Sequence, residues 1–112
     1  EHWTAATEQA MLVAKNLLSP EAAKPYNSVP FVWSDQYGSR IQIAGNPEGT
    51  DQAQVLVGST ASNSFVAGYR NSESLTGVMA LNSIKPFVQY RRLLMNHGSW
   101  ADAIELAKSM NE

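Results

Sequence analysis

The chain has 112 residues, 44% of them hydrophobic and 16% charged, with a formal net charge of −2. That length fits one domain with one modest core, and the composition is not that of a disordered chain. The acidic balance argues against a nucleic-acid binder that works through a basic surface, and the absence of cysteine excludes disulfides, a thiol nucleophile and cysteine-held zinc or iron–sulfur clusters.

Residues 3–18 have helical periodicity. Trp3, Ala6, Ala10, Val13, Ala14 and Leu17 form an apolar stripe, with Thr4, Glu8, Gln9 and Lys15 off it. Ser19-Pro20 stops the helix. The stretch 21–30, bounded and punctuated by Pro20, Pro25 and Pro30, predicts an irregular connector.

Strand signals follow. Phe31-Val32-Trp33 is short, aromatic and β-branched, and Ser34-Asp35 is expected to end it. Residues 40–44 alternate, with Ile41 and Ile43 on one face. Asn46-Pro47-Glu48-Gly49 is turn chemistry. Residues 54–58 alternate again, with Val55 and Val57 expected inward, and 60–63 read as a loop. Phe65, Ala67 and Tyr69 alternate along the next strand, and 70–73 turn the chain back. Residues 75–81 are nearly all apolar, as in a central strand buried on both faces. The tight turn before them predicts antiparallel pairing with the preceding strand.

Two helices close the chain. Asn82 or Ser83 can cap the first, Pro86 is tolerated near its start, and Gly98 ends it. Its expected register is Ile84, Phe87, Val88, Arg91, Leu94 and Met95. Ser99 with Asp102 forms a capping box for the last helix, whose inner stripe is Trp100, Ala103, Ile104, Ala107 and Met110. A helix, then four or five strands, then two helices predicts an α+β fold with a mostly antiparallel sheet.

Reactive groups are sparse. His2 and His97 lie at opposite ends of the chain and no spacing supplies a third metal ligand; a histidine in a last helical turn complements the helix dipole. There is no nucleophile elbow, no glycine-rich phosphate loop and no paired carboxylates among Glu1, Glu8, Glu21, Asp35 and Glu48. No apolar run approaches the ~20 residues that span a bilayer, and no secretory leader opens the chain. Neither a membrane nor a nucleic acid is expected as a partner, and a reducing cytoplasm is the expected compartment. The chain opens at Glu1 inside a helical pattern, so it reads as a piece of a longer protein.

Two segments stand out. Trp33 precedes Ser34-Asp35-Gln36-Tyr37-Gly38; it reads either as a core tryptophan beside an Asx turn or as an aromatic wall for a planar ligand. Glu1-His2-Trp3-Thr4 opens a helix whose free N–H groups favour an electron-rich ligand atom, or Trp3 simply begins the apolar stripe.

Together these segments resemble a known family. Residues 1–10 are similar to the Glu-x-Trp-x-x-Ala-x-x-Gln-Gly/Ala opening of the C-terminal domain of FAD-dependent ferredoxin reductases. Residues 29–36 are similar to that family's Val-Pro-x-Phe-Trp-Ser-Asp-Gln stretch, with Val32 in place of the usual Phe. Residues 40–45 and the Phe87-x-x-x-Arg91-Arg92-Leu93 run also match. Rubredoxin and putidaredoxin reductases and relatives of apoptosis-inducing factor share this architecture.

The resemblance implies the C-terminal fragment of an FAD- and NAD(P)H-dependent reductase that passes electrons to a ferredoxin-type iron–sulfur protein. The missing FAD- and NAD-binding domains would be its partners within the parent chain. Residues 1–19 would be the helix contacting the FAD domain, and 20–112 the reductase C-terminal domain proper. His2, Trp3, Thr4 and Trp33 are the implied cofactor-binding residues, with no catalytic or metal-ligating residue in the fragment. Asp35 and Gln36 would hold their strand by local hydrogen bonds. Arg40, Arg70, Lys85, Arg91 and Arg92 are the cations available to a partner cleft. The fragment alone is expected to be inactive, to retain no cofactor and to self-associate through exposed interface. The competing reading is a free-standing α+β binding or dimerisation module without flavin chemistry.

Overall fold

The computed structural model describes residues 2–111. Helix α1 spans Trp3–Leu18, and a short 3-10 turn at Pro20–Ala22 leads into the connector. Strands follow at β1 (Phe31–Gln36), β2 (Ser39–Gly45), β3 (Gln52–Ser59), β4 (Ser64–Asn71) and β5 (Ser74–Leu81). Helices α2 (Ile84–Met95) and α3 (Trp100–Asn111) close the chain. The strands form one five-stranded sheet in the order β1-β2-β5-β4-β3, with every neighbouring pair antiparallel. This is the predicted α+β arrangement, with the strand at 75–81 central as expected.

Helices α2 and α3 pack on one face of the sheet. The core between them and the strands is built from Ala44, Val66, Val78 and Ala80 below and Phe87, Tyr90, Leu94, Trp100, Ala103 and Ala107 above. The two helices are joined by the buried Tyr90, whose hydroxyl donates to the Ala103 carbonyl at 2.9 Å. Burial pushes the Tyr90 phenol up to about 12. The capping box forms as predicted: Ser99 N–H donates to the Asp102 carboxylate at 2.9 Å, and Asp102 N–H donates to Ser99 Oγ at 3.1 Å. Trp100 N–H also donates to the Glu73 carbonyl at 2.8 Å, which ties the start of α3 to the β4–β5 turn.

Several register expectations are corrected. In β3 the pairing with β4 slips between Val55 and Val57, and this bulge turns Leu56 into the core while Val55 is exposed. In α2 the buried residues are Phe87, Tyr90 and Leu94, whereas Ile84, Val88 and Met95 are exposed. The helix is rotated toward α3, where the tyrosine finds its carbonyl acceptor. The left-handed residue after α2 is His97 (φ 56°), not Gly98. Gly98 serves packing instead: a Cβ there would lie 2.3 Å from Leu93 Cδ1 and would force that side chain to shift. Residues 60–62 form a short 3-10 turn inside the expected loop.

Strand β5 is buried on one face rather than two. Register sets Val32, Ile43, Met79, Ala67 and Val55 side by side across all five strands on the face opposite α2 and α3. Ile41, Leu81 and Phe65 form the next row. No helix among the described residues packs on this face, and its side chains are half-buried only by one another, apart from the exposed Val55.

Candidate functional site

The candidate site is assembled where α1 meets β1. Helix α1 has no buried residue. The edge it turns toward the domain is Thr4, Ala5, Glu8, Leu12 and Asn16, half-buried at intervals that keep them on one side. Thr4 Oγ1 donates to the Phe31 carbonyl, Tyr26 donates to Glu8 Oε2 at 3.1 Å, and Asn16 bonds the Lys24 backbone at 2.8 and 3.0 Å. Desolvation and the neighbouring Glu8 carboxylate push the Tyr26 phenol above its ordinary range. Ala6, Ala10, Val13, Ala14 and Leu17 of the apolar stripe are therefore directed away from the domain, and Trp3, at its start, is 74% exposed. The hydrogen bonds along the polar edge, not the apolar stripe, decide how the helix sits.

Trp3 and Trp33 come together, with ring centroids 5.7 Å apart and planes tilted by 53°. Trp33 stands at the third position of β1, not at a strand end, because Ser34, Asp35 and Gln36 continue the ladder with β2. Phe31 and Trp33 share a face by the two-residue period of a strand, 5.5 Å apart, and Phe31 reaches the core ring of Phe87 at 5.7 Å. An aromatic series thus runs from the exposed Trp3 to the core. Phe31, not among the residues expected at the site, joins Trp33 to the core, and its i, i+2 spacing to Trp33 is the sequence signal for that shared face.

His2 takes the N-cap position of α1 in extended conformation; among the described residues no side chain caps the helix and no acidic residue lies in its first turn. Among the described residues, the N–H groups of Trp3, Thr4 and Ala5 therefore end the helix without a side-chain acceptor, at the positive end of the helix dipole. His2, Trp3, Ala5, Ala6 and Gln9 line a shallow hollow of about 500 Å³. Thr4 is placed differently from its neighbours: its hydroxyl is committed to the Phe31 carbonyl, so it fixes the helix end against the strand.

The base of the β1–β2 hairpin is fixed by Arg40, whose Nε and Nη2 donate to the two Asp35 oxygens at 2.8 Å each. Those bonds and the guanidinium charge hold the Asp35 carboxyl below its usual range. Gln36 donates to Ser34 Oγ at 3.1 Å. Asp35 and Gln36 thus make the local bonds expected of them. Arg70 is committed to Glu73 and stacks on Trp100, with 5.1 Å from the guanidinium carbon to the ring centroid. Among the described residues no three acidic, histidine or cysteine side chains gather into a metal site, and no helix is long and apolar enough to cross a membrane.

Residues 31–111, from β1 to the end of α3, match the Reductase C-terminal family. The chain belongs to that family. Among curated relatives, this reductase C-terminal domain is 35% identical over 89 residues to a ferredoxin–NAD(P)+ reductase of a Sphingomonas species, covering 80% of this chain and 21% of the relative. It is 31% identical over 102 residues to the ferredoxin reductase subunit of the 5,5′-dehydrodivanillate O-demethylase of Sphingobium, covering 91% of this chain and 24% of the relative. A ferredoxin reductase crystal structure from Rhodopseudomonas palustris superposes with a TM-score of 0.79 at 34% identity, over 94% of this chain and 27% of that one. The domain therefore spans about a fifth to a quarter of the length of these relatives.

Proposed function

We propose that this domain forms one wall of the flavin site in a longer reductase that moves electrons from NAD(P)H through FAD to a ferredoxin-type iron–sulfur protein. The relatives' names support the reaction class. The observation that carries the role of this chain is the pairing of Trp3 and Trp33 beside an uncapped helix N-terminus. An aromatic wall suits a planar ring, and the positive end of the helix dipole suits a ring edge that becomes electron-rich on reduction. The residues fit one edge of such a cofactor and supply nothing that would hold its dinucleotide tail.

Bound in the parent protein, FAD would supply the exchange between two-electron hydride chemistry and single-electron transfer. The chain's own part is electrostatic and steric. Trp3 and Trp33 exclude water from one side, the His2–Ala5 turn directs its N–H groups outward, and Thr4 keeps that turn in register with β1. The apolar stripe of α1, unused within this domain, is the surface we assign to the FAD domain, with 20–112 as the body that carries it.

The test is a charge placed in the first turn of α1 in the full-length reductase. Ala6 is exposed within this domain but lies in the stripe assigned to the FAD domain, so Ala6→Glu is read against Ala6→Gln, which makes the same change at that interface without the charge. A carboxylate there opposes the positive end of the helix dipole and adds negative charge beside the ring, so Ala6→Glu should lower the flavin potential. Ala6→Gln controls for side-chain volume. An unchanged potential in Ala6→Glu removes the helix terminus from the flavin site.

A further inference from the structure

A second cavity, of about 230 Å³, opens between α1, the connector and the C-terminal end of α2, lined by Glu8, Asn27, Ser28, Val29, Arg91, Met95 and His97. At ~30 Å³ per water it would hold about seven or eight water molecules. The Arg91 guanidinium lies over the Phe31 ring, its central carbon 4.4 Å from the centroid. Its Nε is fully shielded and has no acceptor. No hydrogen bond and no ion pair to Arg91 is formed within the described residues, whereas Arg40 and Arg70 each have a carboxylate partner.

A half-buried guanidinium with no protein acceptor among the described residues leaves its Nη groups free to take one from the cavity. Glu8 is the one carboxylate on the cavity wall; it receives the Tyr26 hydroxyl and stays beyond ion-pair distance of Arg91. The Asn27 amide and the His97 imidazole on the same wall make no side-chain hydrogen bond within the described residues. The left-handed backbone at His97 sets the position of that residue after the end of α2. A stacked guanidinium with its Nη edge available, beside an amide and an imidazole, matches the oxygens of a small anion.

We propose that this cavity is a binding site for a small free oxyanion, a carboxylate or phosphate, gripped end-on by the Nη groups of Arg91 and completed by Asn27 and His97. The inference is independent of the flavin reading, because neither Trp3 nor Trp33 lines the cavity.

The experiment is an NMR titration of the 15N-labelled chain with sodium phosphate and with sodium acetate, against sodium chloride at matched ionic strength. Arg91, Asn27 and His97 side-chain signals should shift along a saturable curve in the millimolar range, while exposed Lys108 follows ionic strength alone. Arg91→Met keeps an aliphatic contact on Phe31 and should abolish saturation. Glu8→Gln removes the one opposing charge and should tighten binding about three- to tenfold. It also keeps the test decisive if Arg91→Met fails to fold. Linear shifts equal to those of Lys108, or a Glu8→Gln affinity equal to that of the unaltered chain, overturn the proposal. The same titration on the full-length reductase separates the sources of the anion. Saturation there supports a free ligand, and its loss overturns a free oxyanion as the occupant in the whole protein.

Discussion

Helix α1 should open without the rest of the domain. It buries no residue, and its attachment consists of the bonds from Thr4 to Phe31, Tyr26 to Glu8 and Asn16 to Lys24, plus the Trp3–Trp33 contact. Partly exposed hydrogen bonds contribute about 0.5–1.5 kcal/mol each, an isolated helix of this length is marginal in water, and the aromatic pair adds about 1 kcal/mol. Local opening of α1 then costs about 2–4 kcal/mol, against a global stability of about 5–15 kcal/mol for a domain. Amide exchange read residue by residue should show α1 exchanging at least about tenfold faster than Val78 and Ala80 in β5. Asn16→Ala removes two of the tethering bonds. It should speed exchange in the second half of α1 by about tenfold while moving Tm by less than about 2 °C. Protection of α1 equal to that of β5, or a fall of several degrees in Tm on Asn16→Ala, would refute the account of how this helix is held.

Other outcomes follow from the core and the caps. Tyr90→Phe removes the buried bond to Ala103 and should cost about 1 kcal/mol, or about 4 °C in Tm by calorimetry for a chain of 112 residues. Asp102 has a folded pKa below its ordinary 3.8, because Ser99 donates to its carboxylate. Its stabilisation is therefore complete above that value and disappears as pH falls through the lower folded one. Asp102→Asn should lower Tm at neutral pH, with the difference vanishing in acid. Gly45 has φ +87° and a Cβ there would lie 2.4 Å from the Thr76 carbonyl oxygen, so Gly45→Ala should cost about 3 kcal/mol in a denaturant melt.

What could be read from the sequence was what depends on near neighbours. The Ser99–Asp102 box, the turn before β5 and the inner stripe of α3 are set by spacings of a few residues, and all three appear in the structure. The inward turn of Leu56 depends on a pairing slip with β4, and the burial of Tyr90 depends on a carbonyl thirteen positions away in α3. Neither partner is visible in a periodicity. The stripe on α1 was legible as apolar, but its direction was not: the bonds made by Thr4, Glu8 and Asn16 face the domain, and the stripe points outward. Trp33 was legible as unusual because of its motif. Its companions Trp3 and Phe31, and the stacking of Arg91 on Phe31, required the fold.

The central claim, that Trp33 walls a flavin, is tested most directly by Trp33→Ala in the full-length reductase, with the same substitution in the isolated chain as its stability control. Trp33 is half-buried on an edge strand, so truncation should cost less than the ~3–5 kcal/mol typical of a core tryptophan. The account predicts a shifted flavin absorption and fluorescence spectrum and altered NAD(P)H oxidation with a one-electron acceptor. The isolated chain should still fold, with Tm lowered by less than about 8 °C. An unchanged flavin spectrum and unchanged kinetics, together with a larger loss of Tm, would make Trp33 a packing residue and contradict the account.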